Sequence, residues 1–219
     1  MPQPIRDEQG VIPPHDPTEK ISFAEFCRRE YASEFKHEFN RGYAVPIQGP
    51  DAVERVGMAG ARPEHNLTAT NASGEFRNAF KGSGCTVYNS DQMVYIQAVD
   101  RGFYPDVVVV CGEREMATDA PSPKHRQAVK NPVVLVEVLS DSTEVFDRGE
   151  KHFCYLQIPS LREYVLMHQD RPRVEVFAKN EAGQWEPHVY DGLDADVRLP
   201  SQDVTVPVAD LYRGVDFDD

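Results

Sequence analysis

The stretch NPVVLVEVLSDSTEVFDRGEKHFCYLQIPS, residues 131–160, decides how the rest of the chain is read. Residues 133–139 have the form of a strand buried on both faces, with apolar side chains at consecutive rather than alternate positions. Glu137 interrupts that run. A lone ionised carboxylate in an apolar interior is costly, so it must have a partner or keep its proton. The spacing then predicts a helix over 143–158, stopped by Pro159, and a strand over 162–168. Strand, helix and strand in that order predict a parallel, right-handed crossover. The fold class that follows is mixed α/β, a central mixed sheet flanked by helices.

A chain of 219 residues, 40% of them apolar, can bury one sizeable core, so a single domain over 20–212 is expected. Residues 1–19, rich in proline and polar groups, are expected to form a flexible tail, and 213–219 an acidic one. Ser22 and Glu25 have the form of a capping box that opens a helix over 21–31. A strand over 43–48 and a loop through 49–50 and 57–61 lead to a second helix, which starts at Pro63 and ends before Gly82. Strands follow over 85–88, 93–98 and 104–111, and 112–130 reads as a long loop. Further on, 174–178 and 185–190 form a hairpin, and 204–212 closes the domain.

Composition narrows the function. No apolar run approaches the roughly 20 residues that span a bilayer, and the first residues lack the apolar centre of a signal peptide, so a cytoplasmic protein is expected. Cys27, Cys85, Cys111 and Cys154 are scattered without a CxxC pair, which argues against a disulfide framework and against a cysteine-zinc site. The net charge of -13 gives no average basic footprint of a nucleic-acid binder. Arg28, Arg29, Arg62, Arg77, Lys81, Lys124, His125, Arg126 and Lys130 are candidates for a local basic patch, or simply solvated surface charge. GxSxG, HExxH, P-loop and GxGxxG motifs are all absent, which removes several enzyme classes.

The second informative stretch is FYPDVVVVCG, residues 103–112. Asp106 stands at the entrance of an apolar strand, whereas Glu137 lies near the exit of its own. Paired antiparallel, the two strands would bring both carboxylates to one rim of the sheet. Two adjacent carboxylates repel, and a divalent cation between them resolves that; oxygen ligands suit magnesium or manganese. Lys151 lies about 12 Å along the returning helix, comparable with the roughly 10 Å depth of Glu137 below its strand end. An ammonium there could orient a nucleophilic water and offset charge at phosphorus. Bland readings stand beside each residue: a turn for Asp106, a surface pair with Asp147 for Lys151, and a buried salt bridge for Glu137.

Tyr104-Pro105-Asp106 followed by Val136-Glu137-Val138-Leu139-Ser140 resembles the PD-(D/E)xK nuclease superfamily. More narrowly, VEVLSDST and DRGEKHFCYLQIPSLREYVLM look like the Uma-type restriction endonuclease family, a likeness that spans about residues 20–200. The resemblance implies a restriction-endonuclease-like core and Mg- or Mn-dependent hydrolysis of phosphodiester bonds, with DNA as the substrate. It implies that Asp106 and Glu137 hold the ion together with the backbone carbonyl of Val138. The superfamily's lysine normally lies two residues after the glutamate, where this chain has Leu139; in this family it is displaced to the helix, at Lys151. Tyr155, one turn later, would hydrogen-bond near the site or pack in the core. Glu38, in His37-Glu38-Phe39, matches an acid contributed by the first helix, for a second ion or its water, or is a surface glutamate. His65, on the second helix, would face phosphate or serve a structural role. Asp91 reads as turn chemistry. Exposed sheet edges make a homodimer plausible. The alternatives are an inactive nuclease fold that serves as a dimeric scaffold, and a phosphodiesterase acting on RNA or small nucleotides.

Overall fold

The computed structural model describes residues 5–7, 10–47, 62–117, 127–141 and 143–217. A short antiparallel pair, β1 (Arg6–Asp7) and β2 (Gly10–Val11), precedes helix α1 (Phe23–Ala32). Strands β3 (His37–Asn40) and β4 (Tyr43–Pro46) lead to the long helix α2 (Pro63–Ala79). Strands β5 (Cys85–Asn89), β6 (Met93–Ile96), β7 (Arg101–Phe103), β8 (Val107–Cys111), β9 (Ala128–Val129) and β10 (Val134–Leu139) come next. One helical segment follows in three parts: α3 (Glu144–Phe146), a π-turn (Asp147–Lys151) and α4 (His152–Tyr155). The chain continues through β11 (Glu163–His168), β12 (Arg173–Lys179), β13 (Trp185–Asp191), β14 (Asp196–Leu199), β15 (Val204–Pro207) and α5 (Val208–Leu211).

The central sheet has the order β13-β12-β11-β10-β8-β5, and a smaller one the order β4-β3-β7-β6-β9. In the central sheet only β10 and β11 run parallel, joined by the three-part helical segment; this is the expected crossover. Strand β10 is buried at all six positions, and its alternation sorts those residues between two cores. Val134, Val136 and Val138 pack with Ala72, Phe76, Phe80 and Leu211, on the side of α2 and α5. Leu135 and Leu139 pack with Tyr155, Ile158, Phe103 and Val94, on the side of α4 and the smaller sheet. Period two puts Glu137 on this second face.

Within the smaller sheet β7 is closely flanked at Gly102, where a Cβ would meet Met93 Sδ on β6 and Phe39 Cβ on β3, each at 3.2 Å. The N-cap half of the capping box forms, with Ser22 Oγ accepting from Glu25 N–H at 3.2 Å, while the Glu25 carboxylate pairs with Arg28 and Arg29 instead. The closing segment 204–212 divides into β15 and α5: Pro207 has no N–H to continue the ladder and suits a helix entry. The short strands β3, β7 and β14, only three or four residues each, carry too little periodicity to be seen in the sequence.

Three other regions differ from the expectations. Cys85 and Cys111 are bonded, because the β5–β8 register sets them opposite one another although they are far apart in sequence. The stretch 10–19, expected as a tail, lies against α1: Ile12 is buried, and His15 reaches Glu30 at 3.1 Å. At the other end, Val215 is buried and the Phe217 ring meets that of Tyr212. The loop 48–61 and the basic residues Lys124, His125 and Arg126 lie outside the described residues.

Candidate active site

Antiparallel pairing of β8 with β10 runs out at Val136 opposite Val107. One step further, the chain before β8 turns away, and the Asp106 side chain takes the place of the lost backbone partner. Its Oδ2 accepts the N–H of Val138 at 2.7 Å. The exit of β10 and the entrance of β8 thus meet at one rim, as the two sequence patterns require. Within an extended strand the N–H and C=O of one residue face the same neighbour, so the Val138 carbonyl opens toward the same gap.

Glu137 is 3% exposed. Its Oε1 accepts from Lys151 Nζ at 3.0 Å and from the Tyr155 hydroxyl at 2.8 Å. Lys151 and Tyr155 stand four residues apart at the junction of the π-turn and α4, so both face the strand. The Lys151 ammonium is shared with Asp147 Oδ1, also at 3.0 Å, one turn back. The π-turn inserts one residue into the helical path, a distortion frequent at functional sites. Here it places Asp147 and Lys151 together in the interior, 1% and 7% exposed. Tyr155 is further fixed by edge-on contacts with Phe103 and Tyr164, at 5.6 and 5.2 Å between centroids.

Burial pushes the Glu137 carboxyl well above its usual range; the Lys151 ammonium opposes that push, while Asp147 and Asp106 add to it. Burial alone would lower Lys151, yet Asp147, Glu137 and Glu38 hold its proton more tightly than usual. Lys151 therefore stays an ammonium, a donor and a positive charge but not a base. Tyr155 also stays protonated, raised first by burial and then by Glu137. His65 Nε2 lies 3.7 Å from Asp106 Oδ1. Burial would lower His65, but Asp106 and Asp147 more than offset this and raise it.

Of the residues expected at the site, Asp106, Glu137, Val138, Lys151, Tyr155 and His65 come together. Glu38 is also near enough to act electrostatically on Lys151 and Tyr155. It is 5% exposed and sits on β3 rather than on the first helix, because the chain leaves α1 at Ala32 and has re-entered a sheet by His37. Neither a surface position for Glu38 nor a surface pair for Lys151 and Asp147 survives. Asp147 itself was seen only as a pairing partner; its four-residue spacing to Lys151 was the signal that both would turn inward. Asp91 lies in a turn, with its N–H on Asn89 Oδ1.

The donor set suits a hard divalent cation. Among the described residues no hydrogen bond reaches Glu137 Oε2, and Asp106 Oδ1 faces only His65. Asp106, Glu137 and Asp147 bring three carboxylates to a site with the single ammonium of Lys151. Magnesium keeps most of its waters and needs only one or two carboxylates. The basic-patch candidates fare less well: Arg28 and Arg29 are buried in pairs with Glu25, and Arg62 faces Asp141 at 3.2 Å.

Comparison with known proteins gives three findings. The model of the Uma2 family, described as "Putative restriction endonuclease", matches residues 24–209. Two uncharacterized proteins of Synechocystis sp. (strain PCC 6803) are similar: slr1290, 30% identical over 93% of this chain and 97% of its own length, and sll1609, 32% identical over 83% and 94%. A crystal structure of "a putative nuclease belonging to DUF820" from Anabaena variabilis ATCC 29413 superposes with a TM-score of 0.58. At 16% identity, over 82% of this chain and 91% of that one, it speaks for the fold alone.

Proposed function

The chain belongs to the Uma2 family, and from that membership we propose that it is a magnesium- or manganese-dependent endonuclease that hydrolyses phosphodiester bonds in DNA. One observation carries the reading: Asp106, on the Val138 N–H, adjoins a buried Glu137 whose second oxygen accepts no hydrogen bond from the described residues. Asp106, Glu137 and the carbonyl of Val138 are the groups that would hold the ion. A divalent ion there supplies charge neutralisation and activates water for in-line attack on phosphorus.

The chain's own residues do the rest. Lys151, fixed between Glu137 and Asp147, directs N–H donors and positive charge toward the reacting oxygen. Tyr155 holds Glu137 in one rotamer. His65 bears on Asp106 from α2, and Glu38 adds negative charge behind Lys151. The restriction-endonuclease-like core, with the lysine moved from its usual strand position to the π-turn, is part of the same proposal.

The test is cleavage of supercoiled plasmid with manganese. Glu137→Gln and Asp106→Asn, both close in volume, are expected to lower the rate by at least about 100-fold while the protein stays folded. Lys151→Met is expected to do the same. Cleavage at the wild-type rate in both carboxylate variants would remove this mechanism. Loss of DNA cleavage with retained hydrolysis of bis-p-nitrophenyl phosphate by the wild type would point to a small-nucleotide substrate instead, in keeping with the acidic chain.

A further inference from the structure

A second cluster lies on the far side of β3, outside the site above. Glu30, on α1, is 1% exposed. Its Oε2 meets His15 Nε2 at 3.1 Å and His37 Nδ1 at 2.9 Å. The two imidazole rings stand 4.5 Å apart, tilted at 50°. The His15 side chain is 2% exposed and that of His37 13%. All three donor atoms lie within 4.8 Å of one another.

We infer that His15, Glu30 and His37 form a structural binding site for a zinc-type divalent cation, separate from the Asp106–Glu137 site. Two imidazoles with one carboxylate are a donor set that zinc takes readily and magnesium does not. Ligand atoms about 2.0 Å from a tetrahedral ion are about 3.3 Å apart; here two of the separations are 3.1 and 2.9 Å. Those two pairs need to open by only a few tenths of an ångström, and the third separation is within 4.8 Å. The orientation that a ligating carboxylate needs is already built. Glu30 Oε1 is held by the His37 backbone N–H at 2.9 Å and by the Tyr104 hydroxyl at 3.2 Å, leaving Oε2 aimed at the two rings. Burial would raise the Glu30 carboxyl, but the hydrogen bonds from His15 and His37 hold it down at about 2, so the ligand is ionised.

The three donors come from three segments: the stretch before α1, α1 itself and β3. That first stretch buries little apolar surface apart from Ile12, so a cation on His15 would fasten it where side-chain packing does not.

The experiment uses the full, tag-free chain, stripped with chelator, mixed with zinc and gel-filtered. About one zinc per chain should be retained, and zinc should raise the melting temperature. His15→Gln, which keeps an N–H for Glu30, and His37→Gln should each lose the zinc and the shift. The double variant Asp106→Asn/Glu137→Gln should keep both. X-ray absorption on the wild type should show the scattering of two imidazoles, whether or not the variants fold. A wild type that retains no zinc, a His15→Gln that retains it, a double variant that loses it, or an oxygen-only shell would each overturn the site. None of these results depends on whether the chain cuts DNA.

Discussion

Glu137 occupies a position that a valine or leucine would fill at lower cost, and two neighbours hold it, Lys151 and Tyr155, with Asp147 sharing the Lys151 ammonium. Such an arrangement stabilises less than apolar residues of the same volume would, which is why function rather than stability explains the glutamate. Its parts can be weighed separately. Tyr155→Phe removes one hydrogen bond to a buried carboxylate, and an unfolding free energy lower by about 1.5–3 kcal/mol is expected from urea titration; an unchanged midpoint would show that the hydroxyl contributes nothing. Glu137, Asp106 and Lys151 were legible in the sequence because each breaks a pattern or falls at a countable depth. Glu38 was legible as a residue but not in its setting, since three polar residues around a lone Phe39 do not announce a strand. The His15–Glu30–His37 cluster was not legible, because its members share no periodicity and meet only through tertiary packing.

At the scale of elements, the segment 144–155 aims Lys151 and Tyr155, and it is tied to the sheet from outside the site. Arg148 bonds Glu144 at 2.7 Å and reaches both oxygens of Glu175 on β12, at 2.8 and 2.9 Å; His168 adds a contact at 3.0 Å. The Arg148 guanidinium holds the Glu175 carboxyl at about 2, below its ordinary 4.5. A lowered carboxyl contributes stability that is complete above pH 4.5 and fades as pH falls toward 2. The group is partly open to solvent, so about 1 kcal/mol is the expected size. Glu175→Gln should flatten unfolding free energy against pH across that window; an unchanged slope would contradict the role of Arg148. Packing within the smaller sheet is tested at Gly102. Its Cβ-less backbone lies against Phe39 and Met93, so Gly102→Ala is expected to destabilise by about 1–3 kcal/mol. Gly149, in the π-turn, has open space instead, and Gly149→Ala should stabilise by about 0.4–1 kcal/mol. The strand–helix–strand unit was readable because three different periods meet there, as were β4 and β6 of the smaller sheet, whereas its β3, β7 and β9 were not.

For the whole molecule, two sheets divide the work. The central one carries Glu137, the smaller one Glu38, and the chain between β7 and β8 carries Asp106. The candidate site lies where these pieces meet, and α2 brings His65 to it. Among the described residues no helix is long and apolar enough to cross a membrane. Strand β13 forms one edge of the central sheet, with Val189 on it 51% exposed, and Phe153 is 64% exposed on α4. A pair of chains would set two sites for double-strand cleavage. Light scattering is expected to give twice the chain mass, and a single-chain mass would leave only strand nicking. Sequence patterns could place the crossover and its acids, but the joining of the two sheets depends on a shared core in which Val94, Ile96 and Phe103 of one pack with Val108, Leu135 and Leu139 of the other, which no local period encodes.

The central claim is that Glu137 is buried in order to share a divalent ion with Asp106. A manganese-soaked crystal measures this directly through the anomalous signal. The expected result is a peak about 2.1 Å from both Glu137 Oε2 and Asp106 Oδ1, with the Val138 carbonyl facing it. A site without a peak, with Glu137 still held on Lys151 alone and turned from Asp106, would contradict it.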